Sequence, residues 1–288
     1  MNAAYDDVRR LAADIRIQTI RQMQAFGAGH IGGCMSVADA LAALYGRVLR
    51  IRSEAPDWED RDRLVVSKGH TGPALYAALA LRGFFPMEWL STLNRGGTRL
   101  PSHCDRLKTP GVDASTGSLG QGISLACGFA LGNRLAGRDR MTYAIVGDGE
   151  LQEGQVWEAV QFSAHRALDR LVILVDNNGA QLDGRVEAIN RPFDLARKFE
   201  SFGCAAREVT GWDVEQISEA LIQIRDRRVP CDRPQVVILN TRKGIGCLFA
   251  ERAALNHHMN VSREDADEAV AEIERRLAAG LTPGGERA

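Results

Sequence analysis

Apolar runs alternate along this chain between helical and strand spacing, and each is closed by a glycine or a polar turn. Residues 4 to 26 set Val8, Leu11, Ile15, Ile20 and Met23 at mostly helical intervals, with Gly27 and Gly29 as the stop. A loop carrying His30 follows, and Val37 to Val48 is a second helical pattern. The polar stretch 53 to 61 leads into a short strand, Arg63 to Ser67, which runs into Lys68-Gly69-His70. Residues 73 to 82 and 120 to 136 are Ala- and Leu-rich and read as buried helices. Between them, the Gly- and Pro-containing segment 94 to 119 is long for a passive connection, and long ordered loops tend to be functional.

Two β-branched runs, Met141 to Val146 and Leu171 to Val175, flank Leu151 to Leu168, a segment long enough for a crossover helix. A right-handed crossover returns the second strand parallel to the first, so the turns after both strands open on the same sheet edge. Gln235 to Asn240 predicts a further strand, and Ser262-Arg-Glu-Asp265 is a capping start for a last helix reaching about Ala279. The expected fold class is α/β, a mainly parallel sheet with helices on both faces. The absence of an internal repeat or a low-complexity linker favours one domain over residues 1–280, with 281–288 a flexible tail.

Composition narrows the picture mainly by exclusion. At 288 residues and 45% hydrophobic content the chain can bury a large core, and its net charge of −1 provides no field for nucleic acid. Neither a signal peptide nor an apolar membrane-spanning run is visible, so a cytoplasmic protein is expected, with no membrane partner. Six cysteines without a CxxC pair read as reduced thiols rather than a zinc or redox site.

The chemistry concentrates where the two β-branched strands end. Gly147-Asp148-Gly149 follows the first, and Asp176-Asn177-Asn178-Gly179 follows the second, with Asp148 and Asn178 thirty residues apart. Open α/β sheets hold ligands at such carboxyl ends. Magnesium takes oxygen ligands in near-octahedral geometry and shares them with phosphate and water; one Asp and one Asn leave it positive enough to hold a diphosphate. The glycines let backbone amides approach the phosphate oxygens. Either turn alone would more often be an ordinary turn; as a pair, each after a strand, they favour the metal reading. Of six histidines, His30, His70, His103 and His257 lie in loops or near glycines, where imidazoles can move protons near neutrality. His165, on the crossover helix, reads as structural.

These residues resemble the N-terminal, diphosphate-binding half of the transketolases, thiamine diphosphate enzymes. Segments 147–154 (Gly-Asp-Gly-Glu-Leu-Gln-Glu-Gly) and 176–184 resemble the family's cofactor motif. Gly29-His-Ile-Gly-Gly33, Ser67-Lys-Gly-His70, Leu100-Pro-Ser-His103 and Ser115 to Gly122 resemble further transketolase segments in the same order. The resemblance implies that Asp148, Asn178 and the carbonyl of Ala180 bind Mg2+, with Ca2+ or Mn2+ as substitutes, and that Gly149, His70 and His257 face the diphosphate. It implies that Gly117 and Leu119 touch the cofactor rings and that His30, His257 and His103 are catalytic: the first two beside the donor carbonyl, His103 on a sugar hydroxyl. Glu153 and Glu158 are implied at the partner interface, with a solvated helix face as the competing reading.

Two departures qualify the resemblance. Where transketolases commonly read Gly-His-Pro-Gly-Ala-Pro, this chain has Gly-His-Ile-Gly-Gly-Cys at 29 to 34, and the choice between His257 and His258 stays open. The resemblance also ends before the pyrimidine domain, whose glutamate activates the cofactor. A separate C-terminal transketolase subunit, in an α2β2 assembly acting on sugar phosphates, is therefore expected. The rival readings are a noncatalytic thiamine diphosphate-binding regulatory module and a 2-oxo acid dehydrogenase E1 α-like subunit.

Overall fold

A computed structural model describes residues 2–182, 184–228 and 231–286. Five parallel strands form the central sheet in the order β2 (Arg63–Val66), β3 (Thr142–Gly147), β4 (Leu171–Asn177), β8 (Gln235–Asn240) and β7 (Ala205–Thr210). Strands buried on both faces read as unbroken apolar runs, and that explains the sequence pattern. Tyr143, Ile145, Val172, Leu174, Val237 and Leu239 enter the core on one face; Ala144, Val146, Ile173, Val175, Val236 and Ile238 enter the other.

The first face is covered by α1 (Asp6–Phe26), α2 (Ile31–Ser36), α3 (Ala38–Ala43) and α4 (Gly72–Leu81), together with α9 (Val214–Arg225) and α11 (Arg263–Ala278). The second is covered by α5 (Gln121–Leu135), α6 (Gly154–His165) and α8 (Leu195–Ser201). Helix α1 starts with Asp6 and Asp7 in its first turn and ends at Gly27, whose φ of 105° gives the left-handed cap. Ser262 caps α11, its Oγ accepting from the Asp265 N–H at 3.0 Å. The remaining helices α7 (Val186–Ile189) and α10 (Leu248–Arg252) are short.

The helical run read from Val37 starts earlier: α2 begins at Ile31, directly after His30. Its Gly-Gly-Cys content hid it, because glycine weakens the helical pattern. Strand β7 and helix α9 had no sequence expectation; β7 is an edge strand of half-buried residues, so it lacks an apolar run. Within residues 281 to 286 the Thr282 N–H donates to the Glu286 carbonyl at 2.8 Å. Residues 287 and 288 lie outside the described residues. No helix among the described residues is long and apolar enough to cross a membrane.

Two small antiparallel pairings shape the site. Strand β1 (Ala28–Gly29) pairs with β9 (Met259–Asn260), tying the turn before α2 to a segment 230 residues away in sequence. Gly32 permits the approach: its N–H donates to the Asn256 carbonyl at 3.0 Å, and an added Cβ would stand 2.4 Å from that oxygen. The hairpin β5 (Ala180–Gln181) with β6 (Gly184–Arg185) follows β4 and folds over the Gly147 to Gly149 turn.

Candidate active site

Strands β2, β3, β4 and β8 point their carboxyl ends in one direction, and each delivers polar side chains to the same edge. Asp148, 2% exposed, lies just past β3. Its Oδ1 accepts from the Gly149 N–H at 2.8 Å and its Oδ2 from the Gly179 N–H at 2.6 Å, so one carboxylate joins the two turns. Burial first, and then the Asp176 charge, push its pKa up to about 6. Asn178 follows β4, its Oδ1 accepting from the Ala180 N–H at 3.1 Å.

The β1–β9 pairing gathers the histidines. His30 has the rings of His258, His257, His70 and His103 at centroid distances of 4.8, 5.2, 5.4 and 5.8 Å, and His70 lies 4.9 Å from His257. Burial, reinforced by neighbouring imidazoles and Lys243, lowers His30 to about 4; burial with Lys243 and Lys68 lowers His257 to about 4. Burial and Lys68 lower His70 further, to about 2. These three imidazoles are neutral at pH 7, which suits them to hydrogen bonding and proton acceptance rather than to holding a fixed charge. His257 and His258 differ in placement. His257 touches both His70 and Lys243, whose Nζ is 3.2 Å from its Nδ1, whereas His258 meets the cluster at His30.

The 94 to 119 loop is pinned rather than loose. Tyr76 donates to the Pro101 carbonyl at 2.9 Å, and Thr116 Oγ1 donates to the Val66 carbonyl at 2.7 Å. Gly117 then lies against His103, whose Cδ2 would be 3.2 Å from an added Cβ. Leu119, 38% exposed, precedes the α5 N-terminus. Glu153 and Glu158 are both exposed at the start of α6, and Glu153 packs beside Gly120. His165 is exposed in the last turn of α6, apart from the histidine cluster.

Sequence reading assigned no role to several groups that the fold brings here. Lys68 pairs with Asp176, Lys243 donates to the Gln181 carbonyl at 3.2 Å, and Ser36 Oγ donates to Asp176 Oδ2 at 2.7 Å. Glu150 accepts from Ser67 Oγ and from the Gly120 and Gly147 N–H groups at 2.8 and 3.0 Å, fastening three loops together. A charged residue directly after an apolar strand was the available signal for Lys68 and Asp176; nothing local marked Ser36.

The donor chemistry fits a metal diphosphate. Asp148 and Asn178 supply oxygen donors of the hard type, and Lys68, paired with Asp176, and Lys243, beside His257, belong to the same cluster of polar groups. The Gly149 turn is a cradle that a side chain would fill, since an added Cβ would meet Gln181 Cβ at 2.8 Å. Among the described residues no three His, Cys, Asp or Glu side chains form a metal cluster, and a site built from one carboxylate, one amide and a carbonyl would not form one.

Fold and site together define a parallel α/β domain suited to a phosphorylated ligand at the carboxyl edge of its sheet. Residues 8–277 match the family described as transketolase, thiamine diphosphate binding domain, and the chain belongs to that family. It is 45% identical to the 6-deoxy-6-sulfo-D-fructose transketolase subunit SqwG of Clostridium sp. (strain MSTE9), over 96% of this chain and 100% of that protein. It is 35% identical to an apulose-4-phosphate transketolase subunit from Actinobacillus succinogenes, covering 94% of this chain and 98% of the relative. The transketolase structure from Leishmania mexicana superposes with a TM-score of 0.84 at 30% identity, over 98% of this chain and 42% of that one. The chain thus spans the whole of relatives named as subunits and under half of a larger transketolase.

Proposed function

We propose that this chain is the N-terminal subunit of a thiamine diphosphate- and Mg2+-dependent transketolase, active with a separate C-terminal subunit. The observation that carries the reading is the convergence of Asp148, Asn178, His70, His257 and His30 on one sheet edge. Its support from comparison is the full-length match to proteins named as transketolase subunits. Asp148, Asn178 and the Ala180 carbonyl would hold the metal, while Gly149, His70 and His257 would face the diphosphate and Gly117 and Leu119 would bound the ring pocket.

Thiamine diphosphate, when bound, supplies a nucleophilic carbon and an electron sink for cleaving a bond beside a ketose carbonyl. The chain's own residues handle protons and position. His30, neutral near pH 7, accepts a proton at the donor's hydroxyl oxygen and returns it when the acceptor aldehyde becomes a hydroxyl. His257, with its Nδ1 3.2 Å from Lys243 Nζ, would hydrogen-bond the donor oxygen, and His103 would hold a sugar hydroxyl. Exposed Glu153 and Glu158 belong to the surface that meets the partner in an α2β2 assembly.

The similarity to a 6-deoxy-6-sulfo-D-fructose transketolase subunit makes that sulfo-sugar the first donor to try, ahead of pentose and hexose phosphates. The test is to co-express the chain with its pyrimidine-domain partner and assay two-carbon transfer from each donor to aldose phosphates, with pyruvate decarboxylation as the control reaction. Transfer is expected only from the pair. Full transfer by the isolated chain would overturn the subunit reading, and pyruvate turnover without ketol transfer would overturn the transketolase reading.

A further inference from the structure

Asp176 lies at the end of β4, is 0% exposed, and has an unusual distribution of partners. Its Oδ2 accepts from three donors: Lys68 Nζ, Ser36 Oγ at 2.7 Å and Asn178 Nδ2 at 2.9 Å. Its Oδ1 is buried with no partner among the described residues. The three donors come from three separate elements: α2, the turn after β2, and the turn after β4.

The bond to Asn178 decides which way that amide faces. With Nδ2 committed to Asp176, and weakly to Ser36 Oγ at 3.5 Å, the Oδ1 atom is left on the Ala180 side, the orientation a cation requires. The bond to Lys68 decides the charge. Lys68 pairs with Asp176 and Lys243 lies beside His257, and either ammonium left unpaired would attract a phosphorylated ligand without a metal. Against these two ammonium groups stand three buried carboxylates, Asp148, Asp176 and Glu150, all within electrostatic reach of Lys68. Lys243 is lowered to about 8, by burial first and then by Lys68, so the two lysines also feel each other. With Lys68 paired to Asp176, the cation-free site offers a diphosphate less positive charge than its two lysines alone would, and a divalent ion makes up the difference.

We infer that Asp176 is the positioning residue that makes diphosphate binding conditional on the metal: it cancels Lys68 and holds the Asn178 oxygen toward the cation. The inference rests on the cofactor reading above and deepens it. In Asp176→Asn the amide oxygen can keep the Oδ2 bonds with its NH2 at the unpartnered Oδ1 position, while Lys68 would lose its counter-charge. Metal-free anion affinity should therefore rise while the contribution of the metal falls. A merely structural role would lower the melting temperature and leave that ratio alone.

The probe is inorganic pyrophosphate, titrated by calorimetry into the full chain with excess Mg2+ and with EDTA. Wild type should show a metal enhancement on the order of 100-fold, and Asp176→Asn one reduced about tenfold or more, chiefly through tighter binding in EDTA. Lys68→Met supplies the opposite arm, since an uncancelled Asp176 should weaken binding in EDTA and raise the enhancement. An Asp176→Asn chain that folds and keeps the wild-type enhancement overturns the inference. If that variant does not fold, an unchanged or lower enhancement in Lys68→Met overturns it. Wild-type chain that binds no pyrophosphate even with Mg2+ sinks the cofactor reading itself, and the inference with it.

Discussion

Two of the ion pairs buried in this chain are built on different terms. Arg16 and Asp39, both 1% exposed, lie beneath a cavity of about 710 Å3 lined by α1, α9, α11 and the 280 to 286 turn. Arg16 uses every nitrogen: it donates to the carbonyls of Ile245, Ala12 and Met35 and to both oxygens of Asp39. Lys68 and Asp176 form an equally buried pair, yet Asp176 has one oxygen without a partner among the described residues and crowds three donors onto the other. The saturated pair ties α1 to α2, α3 and the Ile245 turn; the other joins α2 to the turns after β2 and β4.

The contrast can be broken by substitutions whose effects fall on binding in one region and on stability in the other. The largest effect is expected from Asp148→Ala, which should remove Mg2+-dependent thiamine diphosphate binding measured by calorimetry in the presence of the partner, because Asn178 and a carbonyl alone cannot hold the cation. His30→Ala should leave that affinity nearly intact and lower kcat by about 10²- to 10⁴-fold, as loss of a positioned proton acceptor does. An unchanged kcat would remove His30 from the proposed chemistry.

On the saturated side, Arg16→Ala should cost about 3–5 kcal/mol in denaturant unfolding, since it strands a buried carboxylate, while Mg2+-pyrophosphate affinity at the other site stays at the wild-type value. The double variant Arg16→Met with Asp39→Leu sharpens the point: replacing both charges with apolar groups should recover most of the loss. If it recovers nothing, Arg16 acts through its carbonyl bonds rather than through Asp39.

The smallest expected effect is on pH dependence. His30 and His257 are lowered from 6.5 to about 4 in the folded chain, so the unfolded chain binds more protons between those values. Their contribution is complete above pH 6.5 and is lost as pH falls toward 4. A His30→Gln/His257→Gln variant should therefore lose less melting temperature than wild type over that window. The difference between the two profiles isolates the histidines from Asp148, whose upward shift to about 6 acts with the opposite sign. Identical profiles would show that the cluster is more solvated than its packing implies.

Much of this was legible before any coordinates, for identifiable reasons. Parallel strands covered on both faces must be apolar throughout, so β3, β4 and β8 announced themselves, and the turns carrying Asp148 and Asn178 were fixed by where those runs stopped. Placement in loops singled out His30, His70, His103 and His257 as a set, and family resemblance gave them roles. Strand β7 stayed hidden because an edge strand needs no such run, and α2 because its glycines, required for close approach at Asn256, disguise a helix. Ser36 and Lys243 stayed without roles because what matters about them is their partners, Asp176 and His257, which are 140 and 14 residues away in sequence.

The sequence by itself therefore determined the elements of the sheet, the chemical types gathered at its edge and the family to which they belong. It could do so because hydrophobic periodicity and turn chemistry are local properties, written within a few residues of where they act. Tertiary structure alone decided that β1 and β9 would pair and bring His257 to His70 and His258 to His30, which way the Asn178 amide would face, and which buried ion pair would be saturated. Those outcomes depend on distances between residues far apart along the chain, and such distances are set only when the whole core closes around them.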